Sequence, residues 1–411
     1  MPKKTLRLEE PFRPISFLCT VKVLILHQHF NTPEKGGPLR SYYLAKALVQ
    51  KGISVTVITA RQQALYTQEL IEGIDVHYLP ISYDNKFGFY KRGMSFLRYA
   101  IDCVRIAGRI KDISICYAIS VPLTVGQAAL WIKKAYKIPF IFEVGDLWPD
   151  APIQLGFIQN PVLQRALYWL EKHIYRNAFR IVALSEPIKA AIEAKESRAQ
   201  VQVIPNIADT DFYTTGGKRE DLVQEFGVRG KYVVSYIGAV GFANGLDYYL
   251  ECARASQKAG LHIHFLLCGE GGAFEQLKRA AERLQLKNLS FIPFRNRDGV
   301  QKVMNATDAA FISYRPFPIL ETGSPNKYFD GLAAGKLIII NFKGWIKDEI
   351  ESERCGVALN PKVPADFVTK ISAFLADKEL ERTYRINARN LAERKYSRKM
   401  LGDKFVALFQ P

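Results

Sequence analysis

The sequence predicts an α/β protein of two doubly wound domains, each built on a parallel sheet, facing one another across a cleft. The first observation is length, since 411 residues exceed one ordinary core and suggest two units of about 150–200 residues. The second is alternation, because short β-branched and aliphatic runs are separated by longer helical patterns. The third is a fresh start midway, where a buried strand, a glycine-bearing loop and a helix recur without any visible sequence repeat.

In the first half the predicted strands are KVLIL (22–26), SVTVITA (54–60), DVHYL (75–79), ISICYA (113–118), PFIFEV (139–144), RIVALS (180–185) and the closing VQVIPN (201–206). A helix from Leu39 to Lys51 links the first two and stops at Gly52, a residue suited to a left-handed helix end. The second half opens with YVVSYIG (232–238) and runs through HIHFLLCGEG (262–271), LSFIPF (289–294), AAFISY (309–314) and KLIIIN (336–341), with helices near 245–259, 273–286 and 297–305. The expected division is an extension over 1–20, a first domain over 21–205, a second over 206–385, and terminal helices over 386–411 that return to the first. Such sheets bind ligands beyond the carboxyl ends of their strands, so the site belongs in the cleft, with the hinge near Pro205.

Composition narrows the partners. The 57 basic and 40 acidic side chains leave a formal charge of +17, which favours anionic ligands or an acidic membrane face. Cysteines at 19, 103, 116, 252, 268 and 355 form no CxxC pair and have no histidine at ligand spacing, so they read as reduced core residues of a cytosolic protein. The apolar run ISFLCTVKVLIL is too short for a membrane span and is broken by Lys22. A P-loop is excluded because DGLAAGKL is out of register, and a dinucleotide fingerprint because Gly238, Gly241 and Gly245 are wrongly spaced.

The most informative stretch is SPNKYFDGLAAGKLIIIN (324–341). Ser324, Pro325, Asn326 and Lys327 read as the mouth of a helix, with Asp330 one turn in and a buried strand beyond. Unpaired N–H groups there, with about half a positive charge, suit a diphosphate. Together with GGPLRSYYLAKAL (36–48), FEVGDLWPDAP (142–152) and CGEGGAFEQLKRAA (268–281), this stretch resembles glycosyltransferase family 4, from about Val21 onward. The resemblance implies the GT-B architecture, with two Rossmann-like domains, and a retaining transfer from a nucleotide-diphosphate sugar. UDP is favoured over GDP. No metal cofactor is expected, for no Asp-x-Asp pair is placed to hold one on the donor. The resembling branch builds bacterial surface polysaccharides such as lipopolysaccharide O-antigen and capsule. It includes transferases of N-acetylated deoxyhexosamines to polyprenyl-diphosphate-linked saccharides.

Residue by residue, the resemblance puts Asp330 on the ribose hydroxyls and Lys327 on the diphosphate. Gly36 and Gly37 let backbone approach the donor, with Arg40 assisting one turn later. Gly269 and Gly271 line the nucleotide pocket, and the backbone of Ile292 and Pro293 reads the base. The chain also departs from the pattern. The usual first acid falls on Thr322, leaving Glu321 beside it as the catalytic candidate to approach the transferred sugar, and the usual Arg and Lys are absent from GAVGFANGLD (238–247). There Gly238, Gly241 and Asn244 are expected to offer backbone N–H groups instead. Gly145 stands where relatives carry a histidine, so Asp146 and Glu143 are the nearby candidates for catalysis. His27 and His29 end the first strand on the acceptor side.

Residues 86–111 interleave Lys86, Lys91, Arg92, Arg98, Arg105, Arg109 and Lys111 with aromatics. This pattern suits an anionic membrane surface on the cytoplasmic side, reached peripherally; no nucleic acid is expected. The competing function class is a non-catalytic basic lipid- or nucleic-acid-binding protein on a degenerate GT-B scaffold. The missing cations favour that reading, whereas the intact helix mouth favours the enzyme.

Overall fold

The computed structural model describes residues 21–83 and 87–410, so the expected extension, Cys19 and Lys86 lie outside the described residues. The first sheet comprises β1 (Lys22–Leu26), β2 (Ser54–Arg61), β3 (Thr67–Ile71), β4 (Ile74–Pro80), β5 (Ile115–Ile119), β6 (Phe140–Val144), β7 (Arg180–Ala183) and β8 (Val201–Val203). Their spatial order is β3-β4-β2-β1-β5-β6-β7-β8, and β3 alone runs antiparallel. The second sheet holds β9 (Tyr232–Ile237), β10 (Ile263–Cys268), β11 (Leu289–Ile292), β12 (Ala309–Ile312), β13 (Leu337–Ile340) and β14 (Gly356–Ala358), all parallel, in the order β11-β10-β9-β12-β13-β14. The two strands not predicted are β3, whose TQELI is polar and faces solvent, and β14, which is three residues long.

Strand alternation sorts the first domain into two layers. Leu24 and Leu26 of β1 face helices Phe89–Ala107, Thr124–Tyr136 and Pro161–Asn177, while Val23 and Ile25 face helix Arg40–Gln50. The chain crosses into the second domain after Ile204 and returns where Ala208 bridges Ser397. Helix Lys378–Leu391 still packs within the second domain through Ala388 and Leu391, so the return begins at Ser397 and not at 386. Terminal helix Arg398–Val406 lies on helix Arg40–Gln50, and Phe405 and Phe409 meet the Tyr117 ring edge-on at 4.8 and 6.1 Å. Among the described residues, no helix is long and apolar enough to cross a membrane. All five described cysteines are buried and unpaired.

The crossing is fastened by a charge inside the first domain. Arg40 donates to both oxygens of Glu143, at 2.9–3.2 Å, to the Ile204 carbonyl at 2.9 Å, and to the Pro205 carbonyl. Tyr117 donates to the same carboxylate. Glu143 is 1% exposed and Arg40 9%, so neither reaches the cleft. This corrects two expectations: Arg40 is not a donor-phosphate ligand and Glu143 is not catalytic, because each satisfies the other. Burial works against the guanidinium charge, yet the adjoining carboxylate outweighs it and raises the Arg40 pKa. Glu143→Gln should therefore destabilise the protein by about 3–5 kcal/mol in denaturant titration, the cost of an uncompensated buried cation. A loss below about 1 kcal/mol, as for a surface pair, would contradict the assignment.

Candidate active site

Two loops at the carboxyl ends of β9 and β10 form the second-domain wall of the cleft, and they are joined backbone to backbone. The Gly238 amide donates to the Cys268 carbonyl at 2.9 Å, and the Val240 amide to Glu270 at 2.8 Å. A Cβ on Gly269 would lie 1.9 Å from the Gly238 oxygen, and one on Gly271 2.3 Å from the Val240 oxygen. Their φ angles, +154° and +150°, exclude other residues as well. CGEGG is thus glycine-rich because the neighbouring loop occupies the side-chain space. Asn244 folds back to accept from the Gly241 amide at 3.1 Å. The three amides expected to face the donor are thus already bonded in the free protein: Gly238 to the Cys268 carbonyl, Gly241 to the Asn244 side chain and Asn244 to the Gly241 carbonyl at 3.2 Å.

A side-chain cation stands beside these committed amides. Helix Asn326–Ala333 begins after Pro325 with no side-chain cap. From its first turn Lys327 reaches the Gly238 loop, where a Cβ on Gly238 would lie 3.1 Å from its Cε. The ammonium sits 4.9 Å from the Tyr236 ring centre and 5.7 Å from that of Tyr314, and it has no hydrogen bond or ion pair among the described residues. Burial lowers its pKa to about 8, with Asp330 opposing. The other lysine of the stretch, Lys336, is 3% exposed and donates to the Thr307 carbonyl at 2.7 Å, so it serves the core.

Asp330 lies one turn beyond Lys327, as expected. Its carboxyl is raised to about 7, first by burial and then by neighbouring Asp209, against the pull of Arg297, Tyr213 and Lys327. Sequence reasoning missed that surrounding cluster. Arg297 pairs with Asp209 and lies 3.7 Å from the Phe212 ring centre. Arg398 holds the other Asp209 oxygen at 3.1 Å and also pairs with Asp211, while the Tyr43 hydroxyl donates to Asp209 at 2.7 Å. Four distant segments meet there, and no local signal in the sequence links them.

From the first domain, Gly36 and Gly37 adopt φ of +74° and +84°, and a Cβ on Gly36 would lie 3.2 Å from the Arg297 nitrogen. Gly36 therefore closes against the second domain, while a Cβ on Gly37 would lie 3.1 Å from the Asn31 side chain of its own loop. Asp146 is exposed at the cleft, with one oxygen 3.9 Å from where a Gly323 Cβ would stand. It has no hydrogen-bond or ion-pair partner among the described residues and remains the candidate for the acceptor hydroxyl. His27 shares a 2.8 Å hydrogen bond with Ser41, and His29 lies 4.7 Å from the Tyr83 ring. Burial lowers both, to about 3 and about 4, so they are neutral near pH 7.

Other expected residues serve the frame. The Ser324 hydroxyl accepts from the Asn206 amide at 3.5 Å and its carbonyl accepts from the Asn206 side chain, which ties the helix mouth to the segment that crosses between the sheets. The Ile292 carbonyl accepts from the Gly269 amide at 3.0 Å, which ties the end of β11 to the CGEGG loop. Pro293 is exposed, and beyond it Phe294 is 49% exposed. Thr322 bonds its own turn, at the Ile319 carbonyl, while the Glu321 Cβ lies against Gly344. A further unpredicted contact spans the cleft mouth, where Phe157 meets Phe242 edge-on at 5.9 Å.

The raised Asp330 carboxyl carries a stability consequence. Folded, it holds its proton up to about pH 7; unfolded, it releases it near 3.8. Between those values the folded state binds more protons, so stability falls as pH rises through the window. Asp330→Asn should gain thermal stability over the parent above about pH 7 and lose that advantage toward about pH 4. A pH-independent difference in melting temperature would show that Asp330 is not the titrating group.

Comparison with known proteins bears on the fold and the family. The Glycosyl transferase 4-like domain family matches residues 36–207, and the Glycosyl transferases group 1 family matches residues 218–391. Among curated proteins, alpha-D-kanosaminyltransferase of Streptomyces kanamyceticus is 20% identical over 247 residues, covering 59% of this chain and 63% of that protein's length. Sucrose-phosphate synthase of Thermosynechococcus elongatus superposes over 95% of this chain and 98% of its own, with a TM-score of 0.75 and 15% identity. Anabaena HepE, solved in complex with UDP-glucose, does so over 94% and 98%, with a TM-score of 0.69 and 16% identity. Glycosyltransferase families thus match both domains in the order in which the two sheets occur, and the chain belongs to the GT-B glycosyltransferases.

Proposed function

We propose that the chain is a retaining glycosyltransferase that moves a sugar, an N-acetylated hexosamine or deoxyhexosamine, from a UDP-sugar to a polyprenyl-diphosphate-linked saccharide in cell-surface polysaccharide synthesis. The observation that carries this is the unpaired Lys327 ammonium at an uncapped helix mouth, with the Asp330 carboxylate one turn behind it. The nucleotide that accompanies HepE supports UDP, and the amino sugar in the name of the Streptomyces relative supports an aminated donor.

As the bond between the sugar's anomeric carbon and the diphosphate breaks, its electron pair passes to the leaving phosphate. Lys327 and the helix N-terminus oppose that growing charge. The acceptor hydroxyl attacks from the same face and gives its proton to the departing phosphate, while Asp146 orients it. Neutral His27 and His29 stand on the acceptor side without adding charge. The loop 238–247 carries no cation, which favours a purely binding role, but Lys327 puts a cation beside that very loop.

Calorimetric titration with UDP tests the reading. Asp330→Ala and Lys327→Gln should each weaken UDP by roughly tenfold to a hundredfold, the worth of one charge-assisted contact. Parent affinity should also decline above pH about 8 as the free-state ammonium loses its proton, whereas Lys327→Gln should show no such decline. Full affinity in both variants would remove the proposed donor site.

The basic stretch after residue 86 supports a peripheral position on the inner face of the membrane. Vesicles containing phosphatidylglycerol should bind the protein, and less so as salt shortens the screening length to about 8–10 Å. Replacing Lys91, Arg92 and Arg98 together by Gln should weaken partition by more than tenfold, at about 1 kcal/mol per charge. Unaltered partition would place the contact elsewhere.

A further inference from the structure

The helical layer over the first sheet has a second feature, which the basic stretch does not explain. Helices Phe89–Ala107, Thr124–Tyr136 and Pro161–Asn177 set their inner faces into one core cluster, through Tyr99, Ala128 and Ile174 among others. They are fixed side by side. The Tyr136 hydroxyl donates to the Val104 carbonyl at 3.2 Å, and the Lys133 ammonium donates to the Asn177 carbonyl at 2.8 Å. Their outer faces consequently look the same way.

Those outer faces carry apolar side chains where solvent-facing helices ordinarily carry polar ones. Tyr90, Met94, Leu97 and Ile101 follow helical spacing and are 80, 49, 42 and 37% exposed. On the third helix, Val162 and Trp169 are 72 and 66% exposed, two turns apart, and the Trp169 ring stacks on His173 at 5.2 Å. Cations surround both stripes: Lys91, Arg98 and Arg105 on one helix, and Arg165, Lys172 and Arg176 on the other. Acids are scarce. These three helices contain only Asp102, paired with Arg98 and Arg105, and Glu171, 1% exposed beneath Lys195.

We propose that this three-helix face docks on an anionic phospholipid bilayer, with Trp169 at the headgroup boundary and the Tyr90 to Ile101 stripe pressed among the lipids. The inference rests on the membrane reading above and extends it from residues 86–111 to a second helix. Aromatic rings at the interface, apolar side chains below and cations against lipid phosphates are the chemistry of a surface-lying anchor. A second copy of this chain fits poorly, because the face has no free acids to meet its own cations. Helices Phe89–Ala107 and Pro161–Asn177 start from the segments that follow the carboxyl ends of β4 and β6, so the face opens on the cleft where a lipid-linked acceptor would enter.

The test uses the full chain and phosphatidylcholine–phosphatidylglycerol vesicles, with and without brominated acyl chains. Brominated vesicles should quench tryptophan fluorescence of the parent, and Trp169→Phe should remove most of that quenching while vesicle binding persists. The double variant Tyr90→Ser and Trp169→Ser should lose roughly tenfold or more in partition. Undiminished quenching in Trp169→Phe, or parental partition of the double variant, overturns the proposal. So does sedimentation showing that the double variant only disrupts a self-associated species. Thermal stabilisation by UDP serves as the control: if it is kept in all variants, lost partition is not misfolding. If the parent lacks it while binding vesicles through Trp169, the donor reading fails and this one stands.

Discussion

The relation between the two domains depends on one buried guanidinium. Arg40 spans the Glu143 carboxylate at the end of β6 and the carbonyls of Ile204 and Pro205, where the chain leaves the first domain. A charge that is 9% exposed has few conformations that satisfy it, so the path of the crossing is held to the sheet beneath. The same helix that begins with Arg40 carries the returning terminal helix on its outer side, and both chain crossings lean on it. A short network of hydrogen bonds thus fixes where the cleft lies.

The cleft itself is organised by what its backbone has already spent. Amides that a glycine-rich loop offers freely elsewhere are here bonded across to the Cys268–Gly271 loop, which makes that wall rigid but leaves it short of donors for an anion. Lys327 supplies the charge from a different element. Two tyrosine rings face its ammonium and, among the described residues, no carboxylate is bonded to it, so the cation keeps its electrostatic capacity for a ligand. Preorganisation of this kind is costly in the free protein, as the lowered lysine and raised aspartate pKa values both record.

Around Asp330 the charges form a chain instead of isolated pairs. Asp209 is shared by Arg297, Arg398 and Tyr43, which come from the second domain, the terminal helix and the first domain. Asp209 in turn raises Asp330. The surroundings of Asp330 are therefore tied to how the first domain, the second domain and the terminal helix meet, through the one Asp209 carboxylate.

The sequence by itself determined the two parallel sheets, the crossing between them after Val203 and the helix that begins at Asn326. Each of these is local: hydrophobic period, glycine and proline punctuation, and i to i+3 spacing are written within a dozen residues. It could not show that Arg40 belongs to Glu143, a partner 103 positions away whose burial arises only once β6 and helix Arg40–Gln50 are packed. For the same reason CGEGG read as a nucleotide cradle, although its glycines make room for the carbonyls of Gly238 and Val240. Nothing local in the sequence joins Asp209, Arg297, Arg398 and Tyr43, which meet only in the fold. Charged side chains are free or consumed according to neighbours that the fold supplies, and here tertiary structure left Lys327 and Asp146 without a partner among the described residues while it spent Arg40 and Glu143 on the crossing at Ile204 and Pro205.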